Sequence, residues 1–334
     1  MKKSTIGITG TGSLIGQAII KSIKNSSFKE GTKLIGMDYF KKTIGSYWVD
    51  SNYILPDILK DDISENMWVE QLLSIIKEEK IDLLFVGVDF ELPILARFKK
   101  AIEEQTECTI LVNPLHVIEI ADDKYLTYQF LKEHGFSYPK SYLPDDVGNA
   151  FDNGEMTFPC ILKPRKGYRA RDVYLIQNMQ VLKEKILIVK DPVIQEYLEN
   201  DSSEFTCGTL SFDEEIEHSI ILRRDLQEGN TSTAYYDSNF PPEITEYVES
   251  VAKKLKTFGA CNFQLRLDVD GKPKIFEINA RHSGTTYIRS LFGYNEVEVI
   301  LKHFIEGEPS RNATTTFLAP ESLRFNACAC PCDP

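Results

Sequence analysis

"KIFEINARHSG", residues 274–284, starts as an apolar run and then interrupts itself. Ile275, Phe276 and Ile278 suit a strand, yet Glu277, Asn279 and Arg281 fall at every second position. A strand alternates its faces, so these three polar side chains point one way and Phe276, Ile278 and Ala280 the other. A carboxylate on a packed face is costly unless a cation or a strong donor meets it. A half-exposed edge strand with solvated polar residues has the same pattern, so this stretch alone leaves both readings open.

The preceding residues extend the pattern. "NFQLRLDVDGKPKIFEINAR", residues 262–281, is two alternating runs around Asp270-Gly271, a strong hairpin signal. A two-residue loop there pairs Val269 with Lys272. That register sets Gln264 opposite Glu277 and Asn262 opposite Asn279 on one face. Oxygens of Gln264, Glu277 and Asn279 then converge on a single point. Hard cations such as Mg²⁺ take clusters of this kind, with phosphates and water completing the shell.

Working outward, the first 115 residues alternate strand and helix patterns. Strands are predicted at 5–9, 33–38, 81–89 and 109–113, with helical spacing at 10–25, 67–80 and 91–105. Such alternation implies a parallel α/β sheet. The turn "GTGSLIG" places Gly10, Gly12 and Gly16 as G-x-G-x-x-x-G, and Asp38 ends the second strand. One reading is a dinucleotide site; the other is a tight turn that lets the helix pack on the sheet. The third glycine is displaced from the dinucleotide fingerprint.

After Pro114 the pattern changes. Residues 122–136 read as a helix with an acidic cap that ends at Gly135. Residues 158–176 read as strand, loop, strand, 181–190 as a helix, and 192–199 as a strand. Residues 203–225 read as consecutive antiparallel strands. Residues 241–259 read as a helix with Pro near its first turn, and 296–307 as a closing helix.

The chain has 334 residues, 42% hydrophobic and 26% charged, enough for two or three domains with real cores. Its net charge of -12 argues against a general nucleic-acid binder. No apolar run reaches the roughly 20 residues needed to span a bilayer. The start "MKKSTIGITG" lacks the apolar stretch of a signal peptide, so a cytoplasmic location is expected. Cys108, Cys160, Cys207 and Cys261 sit in apolar contexts and read as core residues of a reducing compartment. Cys328, Cys330 and Cys332 cluster in the tail, where no further ligand completes a metal site; an unstructured tail is expected.

Several cations stand out against this acidic background. Lys163 ends the apolar strand "FPCIL", where it either snorkels to water or meets an anion. The following loop holds Arg165, Lys166, Arg169 and Arg171 and suggests a nearby anion. Lys124 lies in the first turn of a helix, against the helix dipole, so a phosphate partner would rationalise it. Arg223 and Arg224 end a strand and reach toward the same place. Gln195, Glu196, Tyr197 and Leu198 lie where a strand leaves its sheet, a backbone edge suited to a flat base. Glu204 follows, either an acceptor for ribose hydroxyls or, as each of these residues taken alone also reads, an ordinary surface position.

The order of these pieces resembles the ATP-grasp superfamily, closest to its carbamoyl-phosphate-synthase-like branch of carboxylate–amine ligases. The matching stretches are "NPLHVIEIADDKYLTYQFLKEHG", "FPCILKP", "VIQEYLE…EF" and "NFQLRLDVDGKPKIFEINAR". The resemblance implies a Rossmann-like preATP-grasp domain at 1–115. It implies a small lid subdomain at 116–192, a large subdomain with the metal site at 193–311, and a tail at 312–334. It implies ATP as cofactor with Mg²⁺, two ions, Mn²⁺ being an alternative. Lys124 and Lys163 would face phosphates, Gln195, Glu196, Tyr197 and Leu198 the adenine, Glu204 the ribose, and Arg224 the nucleotide. Gln264, Glu277 and Asn279 would be the metal ligands, with Glu277 bridging. Arg281 and Lys163 would stabilise the transferring phosphoryl group. The loop after Lys163 departs from the family's glycine-rich lid, and its arginines are the candidate lid here.

The implied activity joins a small-molecule carboxylate, activated as an acyl phosphate, to an amine. A small-molecule kinase on the same scaffold, an NAD-linked oxidoreductase and a non-catalytic nucleotide-binding module are the rivals. Neither nucleic acid nor membrane is expected as a partner, and a homodimer stays open. Arg281 and Arg289 in "RHSGTTYIRSLFGYN" hint at an amino-acid substrate held by its carboxylate. His282 either touches the acceptor or bonds the following turn.

Overall fold

A computed structural model describes residues 3–167, 171–199, 204–212, 215–227 and 229–308. The tail cysteines and Arg169 lie outside the described residues.

The first sheet contains β1 (Ser4–Thr9), β2 (Thr32–Asp38), β3 (Ser51–Ile54), β4 (Leu83–Phe85) and β5 (Thr109–Leu111). All pair in parallel, in the order β3-β2-β1-β4-β5. Parallel neighbours need crossovers, and the helical-period runs supply them as α1 (Leu14–Lys24), α2 (Glu65–Glu79) and α3 (Leu92–Gln105). Ser13 and Ser64 start the first two by accepting from the Gly16 and Met67 amides. The short edge strand β3 was not signalled by any apolar alternation in its sequence.

Two helices, α4 (Leu115–Asp122) and α5 (Lys124–Glu133), lead out of this unit. Asp123 stops the first and caps the second, accepting from the Tyr125 and Leu126 amides at 2.9 and 3.3 Å. A small antiparallel sheet follows, ordered β6-β9-β7-β8, from β6 (Ser141–Tyr142), β7 (Cys160–Pro164), β8 (Tyr174–Ile176) and β9 (Pro192–Glu196). Helices α6 (Pro144–Asp152) and α7 (Met179–Lys185) cover it. Val147, Cys160, Leu162, Ile176, Leu182 and Ile194 form a core belonging to this unit alone. Strand β9 is bonded into this sheet as far as Glu196, so the unit extends past residue 192.

The third sheet is antiparallel, ordered β12-β11-β10-β13-β14. Its strands are β10 (Glu204–Phe212), β11 (Glu215–Gln227), β12 (Asn230–Tyr235), β13 (Gly259–Leu267) and β14 (Pro273–Asn279). Helix α8 (Pro242–Leu255) packs on it, and α9 (Thr286–Leu291) and α10 (Glu296–Leu301) close the chain's described part. Trp68, Leu72 and Ile110 of the first unit share one core with Val248, Phe263 and Ile278. The hairpin β13–β14 is thereby fixed to the parallel unit, whereas the small sheet carries its own core.

The register at the polar positions is the expected one: Gln264 pairs with Glu277 and Asn262 with Asn279. The route to it differs. Leu267 pairs with Pro273, so the turn spans five residues, 268–272, and the Asp268 carboxylate accepts from the Asp270 and Lys272 amides. A bulge then inserts Phe276 between the Leu265–Ile275 and Gln264–Glu277 pairs. The longer turn and the extra residue offset each other. The bulge also breaks strict alternation. Ile278 and Ala280 enter the core, but Phe276 turns to the polar face, its ring 5.5 Å from Lys163 Nζ.

Candidate nucleotide and metal site

Lys163 ends β7 and is 6% exposed. Its Nζ donates to Gln195 Oε1 at 2.7 Å, and Gln195 Nε2 donates to Ser141 at 2.9 Å. Burial pushes the lysine down to about 7, helped by the Lys124 charge, while Glu277 pulls the other way. Lys124 is also buried, and its Nζ donates to the Gly167 and Arg165 carbonyls at 3.2 and 3.4 Å. Two ammonium groups thus stand together where the small sheet meets the hairpin at Phe276.

The basic loop after Lys163 is tied down on its described side. Arg165 grips Asp123 with Nε at 3.1 Å and Nη2 at 2.6 Å, and Lys166 pairs with Asp122 at 3.1 Å. The expectation that these two face an anion is corrected: acidic partners at the α4–α5 junction already neutralise them.

Glu277 has the opposite situation. Its carboxylate accepts only from Asn279 Nδ2, at 3.3 Å, and among the described residues no side-chain cation pairs with it. Asn279 Oδ1 in turn accepts from Arg281 Nη2 at 2.9 Å. Gln264 is engaged differently: its Oε1 accepts from Arg224 Nη2 at 2.7 Å. Arg224 is also held by Glu204, with Nε at 3.1 Å and Nη2 at 2.7 Å. The second Glu204 oxygen accepts from Arg266 Nε and Nη2 at 2.9 and 2.7 Å. Both oxygens of Glu204 are therefore spoken for by guanidinium groups before any ribose arrives.

The strand end expected to read adenine is also partly occupied. Gln195 is bonded into the sheet on both sides, to Ile161 and Ser141, and its side chain bridges Lys163 and Ser141. The Glu196 carboxylate accepts from the Lys140 amide and from Lys274 Nζ, at 2.9 and 2.8 Å. The chain leaves the sheet at Tyr197, and the Leu198 carbonyl accepts from Arg266 Nη1 at 3.0 Å. Arg266, absent from the expected set, thus fixes this exit. Its position, two residues beyond Gln264 on the same face, was the available signal.

Arg281 reaches across to the parallel unit, donating to Asp89 from Nε at 2.7 Å and Nη2 at 3.3 Å. Arg289 does not join it. It is 1% exposed, donates to Glu296 at 2.9 Å and to Asn262, and sits where any side chain on Gly208 would strike it. The hint that Arg289 binds a substrate carboxylate is overturned by this burial. His282 bonds Glu296 at 2.9 Å rather than the following turn. Burial alone would raise Glu296, but Arg289 and His282 hold it down at about 2.

The Gly-rich turn closes on itself. Asp38 Oδ2 accepts from the Gly12 amide at 2.7 Å, so the acid expected at a dinucleotide ribose holds its own loop. A Cβ on Gly45 would lie 2.0 Å from the Thr11 carbonyl, and one on Gly12 would lie 2.7 Å from Thr43. Residues 43 and 45 press on this turn and Asp38 is taken up by the loop's own amide, as the reading of a tight packing turn expects. Glu91, fully buried nearby and bonded to Thr9 and Tyr39, is pushed up to about 7 by burial.

The residues present fit a hard divalent cation. Glu277 is a half-buried carboxylate with no side-chain cation paired to it among the described residues. Asn279 turns its Nδ2 to Glu277 and its Oδ1 to Arg281, and Gln264 Oε1 accepts from Arg224, so either amide oxygen would have to leave a guanidinium to join Glu277 on a metal.

A parallel α/β unit, a small antiparallel sheet and a larger antiparallel sheet, with Lys124 and Lys163 near Glu277, make an ATP-grasp fold. An L-amino acid ligase from Bacillus licheniformis has this fold, with a TM-score of 0.70 at 18% identity, covering 92% of this chain and 75% of that one. Residues 189–321 match a family described as "ATP-grasp in the biosynthetic pathway with Ter operon". An uncharacterized Mycoplasma pneumoniae protein is 29% identical over 160 residues, 44% of this chain and 50% of that protein. The carbamoyl phosphate synthase large chain of Helicobacter pylori is 23% identical over 67% of this chain and 22% of its own length. The D-aspartate ligase of Enterococcus faecium is 22% identical over 77% of this chain and 66% of its own. The match to an ATP-grasp family covers residues 189–321, and the likeness over the rest of the chain is one of fold. The chain spans half of the first of these relatives and between 22% and 66% of the other two.

Proposed function

We propose that the chain is an ATP- and Mg²⁺-dependent ligase that activates a small-molecule carboxylate as an acyl phosphate and joins it to an amine. One observation carries this reading. Among the described residues no side-chain cation pairs with Glu277, yet Lys163 stands close enough for the charges of Glu277 and Lys124 both to act on it. A negative group left waiting beside two ammonium groups suits a metal–polyphosphate ligand that carries both signs of charge.

Lys124 and Lys163 would face the phosphates, and Glu277 with Asn279 would hold the metal. When bound, Mg²⁺ neutralises the β- and γ-phosphate oxygens. Lys163, already pushed down to about 7, becomes fully charged as the polyphosphate approaches. Arg281 borders the reacting end and would stabilise charge on the transferring phosphoryl group. Attack by the substrate carboxylate on the γ-phosphorus breaks the bond to the bridging oxygen and releases ADP. The amine then displaces phosphate from the acyl phosphate. The names of two similar proteins, the D-aspartate and L-amino acid ligases, favour an amino acid among the substrates.

A coupled ADP-release assay over pooled carboxylates, with and without pooled amines, tests the reading. Release that needs both pools is expected. ADP release without amine, together with a phosphorylated product that persists, would assign a kinase instead.

A further inference from the structure

We propose that Asp89 is a positioning residue: from the parallel unit it holds the Arg281 guanidinium in place at the reacting end of the nucleotide site. The proposal rests on the ligase reading, in which Arg281 stabilises the transferring phosphoryl group.

A guanidinium carries about five N–H donors in one rigid plane. In Arg281 all but one are engaged. Nε donates to Asp89 Oδ1 at 2.7 Å, Nη2 to Asp89 Oδ2 at 3.3 Å and to Asn279 Oδ1 at 2.9 Å, and Nη1 to the His282 carbonyl at 3.0 Å. Among the described residues a single Nη1 hydrogen is left to donate, and the bonds of the other donors set its direction. These anchors differ in kind. The His282 carbonyl belongs to the next residue and moves with the strand end. Asn279 can join Glu277 on a metal only by turning its oxygen away from Arg281. Asp89 comes from outside the hairpin, 192 positions away, and no metal on Glu277 and Asn279 draws it off.

The segment that bears Asp89 is itself pinned. It follows β4, which lies beside β1 where the strand order of the parallel sheet reverses; open α/β sheets take their ligands in the crevice at that point. On one side of Asp89, the Gly87 amide donates to Thr9 at 3.2 Å. On the other, the Phe90 ring lies 5.4 Å from that of Tyr39, and Glu91 is fully buried and bonded to Thr9 and Tyr39. Asp89 therefore projects from a fixed base, 55% exposed, onto an arginine that is 15% exposed. An ion pair this open contributes little to stability. A loss of rate without a loss of stability is thus the mark of positioning.

The test compares the full chain with Asp89→Asn, Arg281→Met and the double variant, by ADP release, by calorimetry of Mg·ATP binding and by denaturant unfolding. Asp89→Asn should lower kcat about 10- to 100-fold, the effect of a misplaced catalytic group. Its Mg·ATP affinity should stay within about twofold, since the contact is made in the transition state. Its unfolding midpoint should stay nearly in place. In the Arg281→Met background the same change should alter kcat by less than about twofold, because the group it positions is gone. Unchanged kcat in Asp89→Asn would overturn the proposal, as would lost Mg·ATP affinity with kcat intact, or a rate loss explained by unfolding. An equal loss of kcat in both backgrounds would overturn it too, since Asp89 would then act directly, for instance on a substrate ammonium group. Each of these results sinks this inference alone; absence of both ADP release and Mg·ATP binding in the unaltered chain would sink the ligase reading with it.

Discussion

Two stretches of this chain look like ligand sites in the sequence, and they resolve in opposite ways. At Gly10, Gly12 and Gly16 the glycines let the chain approach itself: Asp38 holds the Gly12 amide, and residues 43–45 press on the turn. At the hairpin the polar groups share one face near Lys163, and Glu277 finds no cation of its own among the described residues. Self-satisfaction marks a structural motif; an unmet charge beside buried lysines marks a site prepared for something else. The contrast extends to packing. The hairpin shares its core with the parallel unit, while the small sheet bearing Lys163 keeps a separate one.

The largest effect on stability is expected behind the hairpin. Glu296→Gln leaves Arg289 buried without its counter-charge and should cost about 3–5 kcal/mol in denaturant unfolding. Because Glu296 is held at about 2, below the ordinary 4.5 of a glutamate, its contribution is complete above pH 4.5 and lost as pH falls toward 2. Glu277→Gln should behave in reverse. Its unfolding midpoint should hold or rise, since an unpaired carboxylate is removed, while kcat for ADP release falls on the order of 10² to 10³. A loss of stability without loss of rate would make Glu277 a structural residue.

Gly45→Ala tests the closed turn. The Thr11 carbonyl must move, at about 1–3 kcal/mol by the usual cost of overpacking, while Mg·ATP affinity stays unchanged. Lys163 sharpens the open site through pH. Its folded pKa, about 7, lies below the ordinary 10.5 of a lysine, so holding the ammonium penalises folding below pH 7. That penalty is relieved as pH rises from about 7 toward 10.5. Near pH 8, Mg·ATP binding should take up as much as one proton, read by calorimetry in buffers of different ionisation enthalpy. Lys163→Met should abolish the uptake. The smallest effect is expected at Asp89→Asn, roughly 0.2–1 kcal/mol in stability, since Asp89 is half exposed.

The parallel sheet was legible because apolar period and strand–helix alternation are local properties. Even the hairpin register was legible, although through a two-residue turn that the structure replaces with five residues and a compensating bulge at Phe276. The partners were not. Asp89 meets Arg281 across 192 positions, and Glu204 meets Arg266 across 62. Pairs that distant depend on how the sheets dock, which no spacing rule encodes. Arg289 was misread for the same reason: its type suggested a substrate anion, while its fate was set by Glu296 and by the gap at Gly208.

The most direct test is a crystal structure with Mn²⁺ and a non-hydrolysable ATP analogue, with Mn located by anomalous scattering. The account places Mn against Glu277 and Asn279, with the phosphates between it, Lys124 and Lys163. A nucleotide lying along Gly10–Gly16, or Mn away from Glu277, would contradict it.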